Sequence, residues 1–434
     1  MKKKYAKLSF IMLLALSLVL SACGSKAKEE ASTGTTNSGG TDKPAETKTI
    51  HIFQFKVEIS EALNKMKEEY EKEHPGIKLD IQTVGGGSDY GAALKAKFAS
   101  GEEPDIFNIQ GYAEMDTWID KLEDLSDQPW VNDVIDVAKE PMTKDGKLYG
   151  QPMNLEGYGF VYNKDLFAKA GITKLPTTLS ELTAAAQKLQ DAGITPFANG
   201  YQEFWILGIH NLNIAFAQQP DPNAFIKGLN DGTAKISDNP VFKDWANLLD
   251  LTLKYGNKNP LTTDYNTEVT MFANGQAAMT QQGNWIQGQI DGINKNLNVG
   301  ILPMPINDNP DQDRLAVGVP NNWVVNKNSP VKAEAKEFLN WLVTSETGKK
   351  YIAKEFKFIP AFKSITATAD DIGPLGAEVV KYSQAGKTLS WNWAKYPDGA
   401  TNEFGNIMQS YVAGKSDKQK MFEDFEKTWN NLKK

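Results

Sequence analysis

Four short stretches set aromatic side chains among amides, carboxylates and glycines. Phe204 and Trp205 lie in "EFWILG", and Asn284 and Trp285 in "QQGNWIQGQ". Asn321 and Trp323 lie in "PNNWVV", and Trp391, Trp393 and Tyr396 in "LSWNWAKYPDG". Flat aromatics bury apolar faces, while Asn, Gln, Asp and Glu supply donors and acceptors for a rim of neutral hydroxyls. That combination suits the C–H face and hydroxyl edge of a sugar ring better than it suits an anion. Any one of these tryptophans reads equally well as core. As a set, their Gly- and Asn-rich contexts point to loops and a ligand.

Reactive chemistry finds less support. The three histidines, His51, His74 and His210, show no metal-ligand spacing such as HExxH. "GGGSDYG" (85–91) fits neither GxGxxG nor GxxxxGK, because Tyr90 stands where the last glycine of the first pattern would fall; a strand-to-helix loop is the better reading. "NPDQDRLAVG" lacks the glycine and terminal glutamate of an EF-hand loop. No local signature marks a serine triad, and the carboxylates are too numerous to single out a glycosidase pair. No catalytic residue, metal or cofactor is expected.

The charges narrow the ligand further. The chain of 434 residues carries a formal net charge of −7, which argues against nucleic acid as a partner. Arg314 is the only arginine. A receptor for carboxylates or phosphate esters would favour a planar guanidinium fork in its cleft. Arg314 instead sits in the loop-like "NDNPDQDR", where pairing with Asp311 or Asp313 is expected.

The single cysteine, Cys23, ends an apolar run. Lys2, Lys3, Lys4 and Lys7 precede it as a basic head, Phe10 to Leu20 is almost wholly apolar, and Ser21 and Ala22 are small. This is the form of an export signal, too short for a comfortable bilayer span of roughly 20 residues; an uncleaved anchor is the alternative. Leu20 to Cys23 resembles a bacterial lipoprotein box, which implies cleavage after residue 22 and lipid on Cys23. Residues 24 to 48 contain no aromatic or branched aliphatic residue and read as a flexible tether, with a reach of about 25–30 Å.

The remaining residues are too many for one ordinary core. "TIHIFQF", "IKLDIQTV" and "PDIFNIQ" read as strands. Between the first two, Ile59, Leu63, Met66 and Tyr70 mark the apolar face of a helix that Pro75 and Gly76 end. "YGAALKAKFASG" reads as a second helix. The alternation recurs at "GFVYN", "TLSELTAAAQKLQDAG" and "MFANGQAAMTQQGNW", and implies α/β architecture. Further stripes, Ala335/Phe338/Leu339/Leu342 and Phe422/Phe425/Trp429/Leu432, read as helix packing.

The stretches "GEEPDIFNIQG", "GKLYGQPMNLEGYGFVYNKDLFAKAGI", "FANGQAAMTQQGNW" and "KAEAKEFLNWLVTSETG" resemble the extracellular solute-binding proteins of carbohydrate-uptake ABC transporters, the family that includes maltose-binding protein. "WNWAKYPDGA" is similar to the raffinose-type and multiple-sugar receptors. The resemblance implies a two-lobed periplasmic-binding-protein-like fold, with a hinge and a ligand cleft between the lobes. Lobe 1 is expected over 49–155 plus 319–362, and lobe 2 over 156–318 plus 363–434. The chain should cross near Asn154–Tyr158, Val317–Trp323 and Ile359–Lys363. Contacts to sugar are implied for Phe55, Glu58, Gln110, Tyr112, Asn154, Glu156, Trp285, Trp391 and Trp393. The aromatic and amide pattern adds Trp205, Asn284 and Asn321. The expected protein is a monomeric, lipid-anchored receptor on the outer face of the bacterial cell membrane, delivering a neutral oligosaccharide to permease subunits. A receptor of this fold for another solute, or an extracellular carbohydrate-active enzyme, is the alternative.

Overall fold

The computed structural model describes residues 47–433. The signal segment 1–22, Cys23 and nearly all of the tether lie outside the described residues. Lys48, expected to end the tether, opens the first strand, Lys48–Gln54.

In lobe 1 that strand is central to a parallel trio with Ile77–Thr83 and Ile106–Ile109. The helix Ser60–Glu73 joins the first two and buries Leu63, Met66 and Tyr70, the face that a 3.6-residue period selects. Asn322–Val325 adds an antiparallel strand beside Ile106–Ile109, and Gln151–Pro152 closes the edge. The helix Tyr90–Ser100 starts where the Asp89 carboxylate accepts from the Ala92 N–H at 2.9 Å, capping one of the free donors of its first turn. Trp323 belongs to this lobe's core, together with Trp118, Trp130 and Trp341.

Lobe 2 is built on Glu156–Asn163, buried along its whole length, as expected of a strand covered on both faces. Ala277–Gly283 pairs antiparallel on one side. Val299–Leu302 and Leu315–Gly318 share the other side end to end, also antiparallel. Thr195–Ala198 and Thr388–Leu389 form the two edges, each parallel to its neighbour. The C-terminal helix Lys418–Leu432 packs Phe422, Phe425 and Trp429 into this lobe's core.

The chain passes between the sheets at 153–155 and at 319–321. The third passage falls later than residues 359–363. Ile359 pairs with Leu155, but the Ala361 carbonyl accepts from Ile135 and the Lys363 N–H donates to Asp133, at 3.0 and 2.8 Å. Ile359 packs in the cluster of Leu375 and Val379, but Phe362 and Ile365 are in the first core, so the chain leaves lobe 1 only after Ile365. It then enters the helix Ala369–Gln384, whose Leu375 and Val379 pack against strands of lobe 2. Among the described residues, no helix is long and apolar enough to cross a membrane.

Candidate binding cleft

Between the lobes lies a cleft of about 530 Å³, within the range of roughly 300–1,000 Å³ common for small-molecule sites. Phe55, Glu58, Gln110, Glu156, Trp205, Trp285, Asn321, Trp391 and Trp393 all line it. Tyr112, Asn154, Asn284 and Trp323 do not.

The aromatic wall belongs to lobe 2. Trp285 stands on the turn that follows Ala277–Gly283. A Cβ on Gly283 would fall 2.2 Å from the indole ring, so only glycine leaves the ring its place. The Trp285 Nε1–H donates to Gln282 Oε1 at 2.8 Å. Gln282 donates in turn to Glu268 Oε2 at 2.9 Å, and the Thr280 hydroxyl donates to Glu268 Oε1 at 2.6 Å. Burial pushes the Glu268 carboxyl up to about 8. The indole edge is thus held by a buried polar chain while the ring borders the cleft.

Trp391 packs over Gly318, where a Cβ would meet the indole at 2.7 Å. Its ring centroid lies 4.5 Å from that of Trp393. Trp205 meets Tyr265 edge-on at 5.4 Å. Asn284 turns away from the cleft and accepts from the Gly157 N–H at 2.9 Å, tying the Trp285 turn to the first crossing. Its amide oxygen is spent on backbone.

Lobe 1 supplies polar groups. Lys56 and Glu156 form a buried ion pair across the first crossing, and Asn154 donates to the same Glu156 oxygen at 3.1 Å. Asn154 therefore orients Glu156 from behind. Burial opposes charge on Lys56, but Glu156 and Glu58 outweigh it and hold the ammonium above its ordinary range. Glu58 accepts from the Tyr265 hydroxyl at 2.7 Å, linking the lobes. The Gln110 N–H donates to Glu114 at 2.8 Å, and burial pushes that carboxyl up to about 7.

The rim is bridged as well. Lys95 pairs with Asp398 at 2.8 Å, and Asn402 donates to Asp89 at 2.6 Å. Tyr112 lies here, its ring 4.7 Å from the Lys395 ammonium. The cations lining the cleft among the described residues are Lys56 and Lys95, and each is paired with a carboxylate. Arg314 lies elsewhere. Its guanidinium donates to the Asp311 carbonyl and to Gln218, each at 3.0 Å, rather than to either expected carboxylate. Tyr382 and Lys387 occupy the Asp313 carboxylate. Among the described residues, no group of three or more His, Cys, Asp or Glu is placed to hold a metal ion.

Sequence reasoning left out several lining residues, notably His210, Tyr265 and the loop Gly85–Asp89. The loop carried a signal, a glycine run at the end of a strand. His210 carried none, being a lone histidine in an apolar stretch.

The model of the bacterial extracellular solute-binding protein family matches residues 56–349. The multiple sugar-binding protein of Streptococcus mutans is 26% identical over 357 residues, 80% of this chain and 81% of that protein. The melibiose/raffinose/stachyose-binding protein of Bacillus subtilis is 26% identical over 368 residues, 79% of each. Among solved structures, the binding protein RafE in complex with raffinose superposes with a TM-score of 0.78 at 26% identity, over 89% of this chain and 100% of that one. A two-lobed fold, a cleft between the lobes and a family match across most of the folded body agree: the chain belongs to the bacterial extracellular solute-binding protein family.

Proposed function

We propose that this protein is a lipid-anchored receptor that binds a neutral oligosaccharide, of the raffinose or multiple-sugar type, between its lobes and delivers it to an ABC permease. The observation that carries the reading is the cleft's composition. Trp205, Trp285, Trp391 and Trp393 line it beside carboxylates and amides, and both lining lysines already face carboxylates. Such a wall offers stacking faces and hydroxyl partners but no spare cation for an acid group. The sugars for which the relatives are named, multiple sugars, melibiose, raffinose and stachyose, support the same class. Glu58, Gln110, Glu156 and Asn321 are read as hydroxyl-side contacts and Phe55 as an apolar contact, with the lobes moving about the crossings.

A thermal-shift panel tests the reading. Raffinose, stachyose or melibiose should raise the melting temperature, as any ligand that binds only the folded state does; galacturonate oligomers should not. A shift with the uronates alone would overturn it. Anchoring rests on Leu20–Cys23. Cys23→Ser should abolish lipid labelling and release the protein from the membrane fraction, and normal membrane retention would remove the lipid anchor from the proposal.

A further inference from the structure

His210 lies inside the ring of tryptophans. It belongs to the π-helical turn Ile206–Asn211, and such turns recur at functional sites as local departures from the α-helical ladder. Its imidazole stacks on Tyr158 with centroids 4.6 Å apart. Trp285, Trp205 and Trp393 surround it at 5.0, 5.3 and 5.4 Å. The Tyr158 hydroxyl donates to the His210 carbonyl at 2.8 Å, so the backbone at this turn is tied down.

The side chain is not. Nδ1 is buried and has no hydrogen-bond partner among the described residues, although the residue lines the cleft. Burying a polar group without a partner is unfavourable. Nearby, Trp391 Nε1 and the Tyr396 hydroxyl, on two other cleft-lining residues, are also buried and unpartnered. A histidine serving only as core would spend its ring nitrogens on protein groups. Nδ1 itself has no open surface, so a ligand hydroxyl would meet this ring on the side where the residue lines the cleft.

We propose that His210 is a specificity-determining ligand contact whose ring hydrogen-bonds a hydroxyl of the sugar held among Trp205, Trp285, Trp391 and Trp393. The inference rests on the oligosaccharide reading of the cleft. Burial, with a smaller contribution from the Lys56 charge, lowers the imidazole to about 3. At neutral pH the ring is therefore uncharged, with one nitrogen donating and the other accepting, and a hydroxyl can meet either. The tryptophans read the face of a sugar, which many sugars share. His210 reads one hydroxyl, and a site built around such a bond strongly rejects analogues that lack it.

Titration of the full chain with raffinose tests both readings separately. Wild type tests the oligosaccharide reading; absence of binding to raffinose, stachyose and melibiose overturns that reading and this inference with it. His210→Phe keeps a flat ring and removes the hydrogen bond, and should weaken raffinose binding about ten-fold or more with the melting temperature close to wild type. His210→Asn, which can still hydrogen-bond, should recover part of the loss. Wild-type affinity in His210→Phe would overturn the inference. Should that variant fail to fold, nitrogen NMR of wild type labelled at its three histidines gives the answer. His51 and His74 do not line the cleft, so saturating raffinose should shift the His210 ring nitrogens and leave the others in place. Unmoved His210 signals with raffinose bound would overturn it.

Discussion

Lobe 2 presents the rings of Trp205, Trp285 and Trp391 to the cleft, with Tyr265 and Trp393 buried behind them. Lobe 1 presents mainly charge and amide, Glu58, Asp89, Lys95, Gln110 and Glu114 beside the glycines 85–87, with Phe55 and Tyr90 as its rings. The two walls have different physical consequences. An indole gains by shedding water at any time, and its energy depends little on which hydroxyl points where. A carboxylate loses hydration when covered and gains only when a donor is correctly placed. Affinity is therefore expected to reside mainly in the tryptophans of lobe 2, and discrimination to depend on His210 and on lobe 1 closing over the sugar.

The strongest contrast is between tryptophans with different jobs. Trp323 is buried in the core of lobe 1, whereas Trp285 borders the cleft. Trp323→Ala should cost about 3–5 kcal/mol of stability in denaturant unfolding. Trp285→Ala should cost clearly less stability. Equal losses would make Trp285 a core residue and break the contrast.

The next effect concerns pH, because burial raises the carboxyl of Glu268, behind the aromatic wall, to about 8 and that of Glu114 to about 7. A group whose folded value lies above its ordinary value binds more protons folded than unfolded. Its contribution is complete below about 4.5, the ordinary glutamate value, and is lost as pH rises through the folded value. For Glu268 the slope approaches about 1.4 kcal/mol per pH unit at most. Unfolding titrations from pH 5 to 9 should show wild type losing stability more steeply with rising pH than Glu268→Gln. Parallel profiles would contradict the assignment.

The smallest effect is expected at the rim. Lys95 and Asp398 are both about half exposed, and such pairs contribute about 0.2–1 kcal/mol. Lys95→Ala should change raffinose affinity by no more than about five-fold, and less at high salt. A larger change would shift weight from the aromatic wall to the closure contacts.

What could be read beforehand followed the local physics. The stripe Ile59, Leu63, Met66 and Tyr70 announces its helix because helical period and burial coincide, and all four are buried. Trp285 stood out because glycine and asparagine flank it where a core tryptophan would have apolar neighbours. Asn284 and Asn154 show the limit. An amide that holds backbone or orients Glu156 is spelled the same way as one that faces a ligand, and only tertiary contacts tell them apart. The late third crossing escaped notice for a related reason: the bonds that keep 361–363 on lobe 1 come from Asp133 and Ile135, more than two hundred residues away. His210 was hidden by its apolar neighbours, since an irregular helical turn leaves no periodic trace.

Titration calorimetry of raffinose into the full chain and its Trp285→Ala/Trp391→Ala variant, with melting curves on both, addresses the aromatic wall most directly. Wild type should bind. The variant should fold, melt near wild type and lose about thirty-fold or more in affinity, the equivalent of about 2 kcal/mol at a contact tryptophan. A folded variant that binds raffinose as tightly as wild type would contradict a sugar stacked on lobe 2.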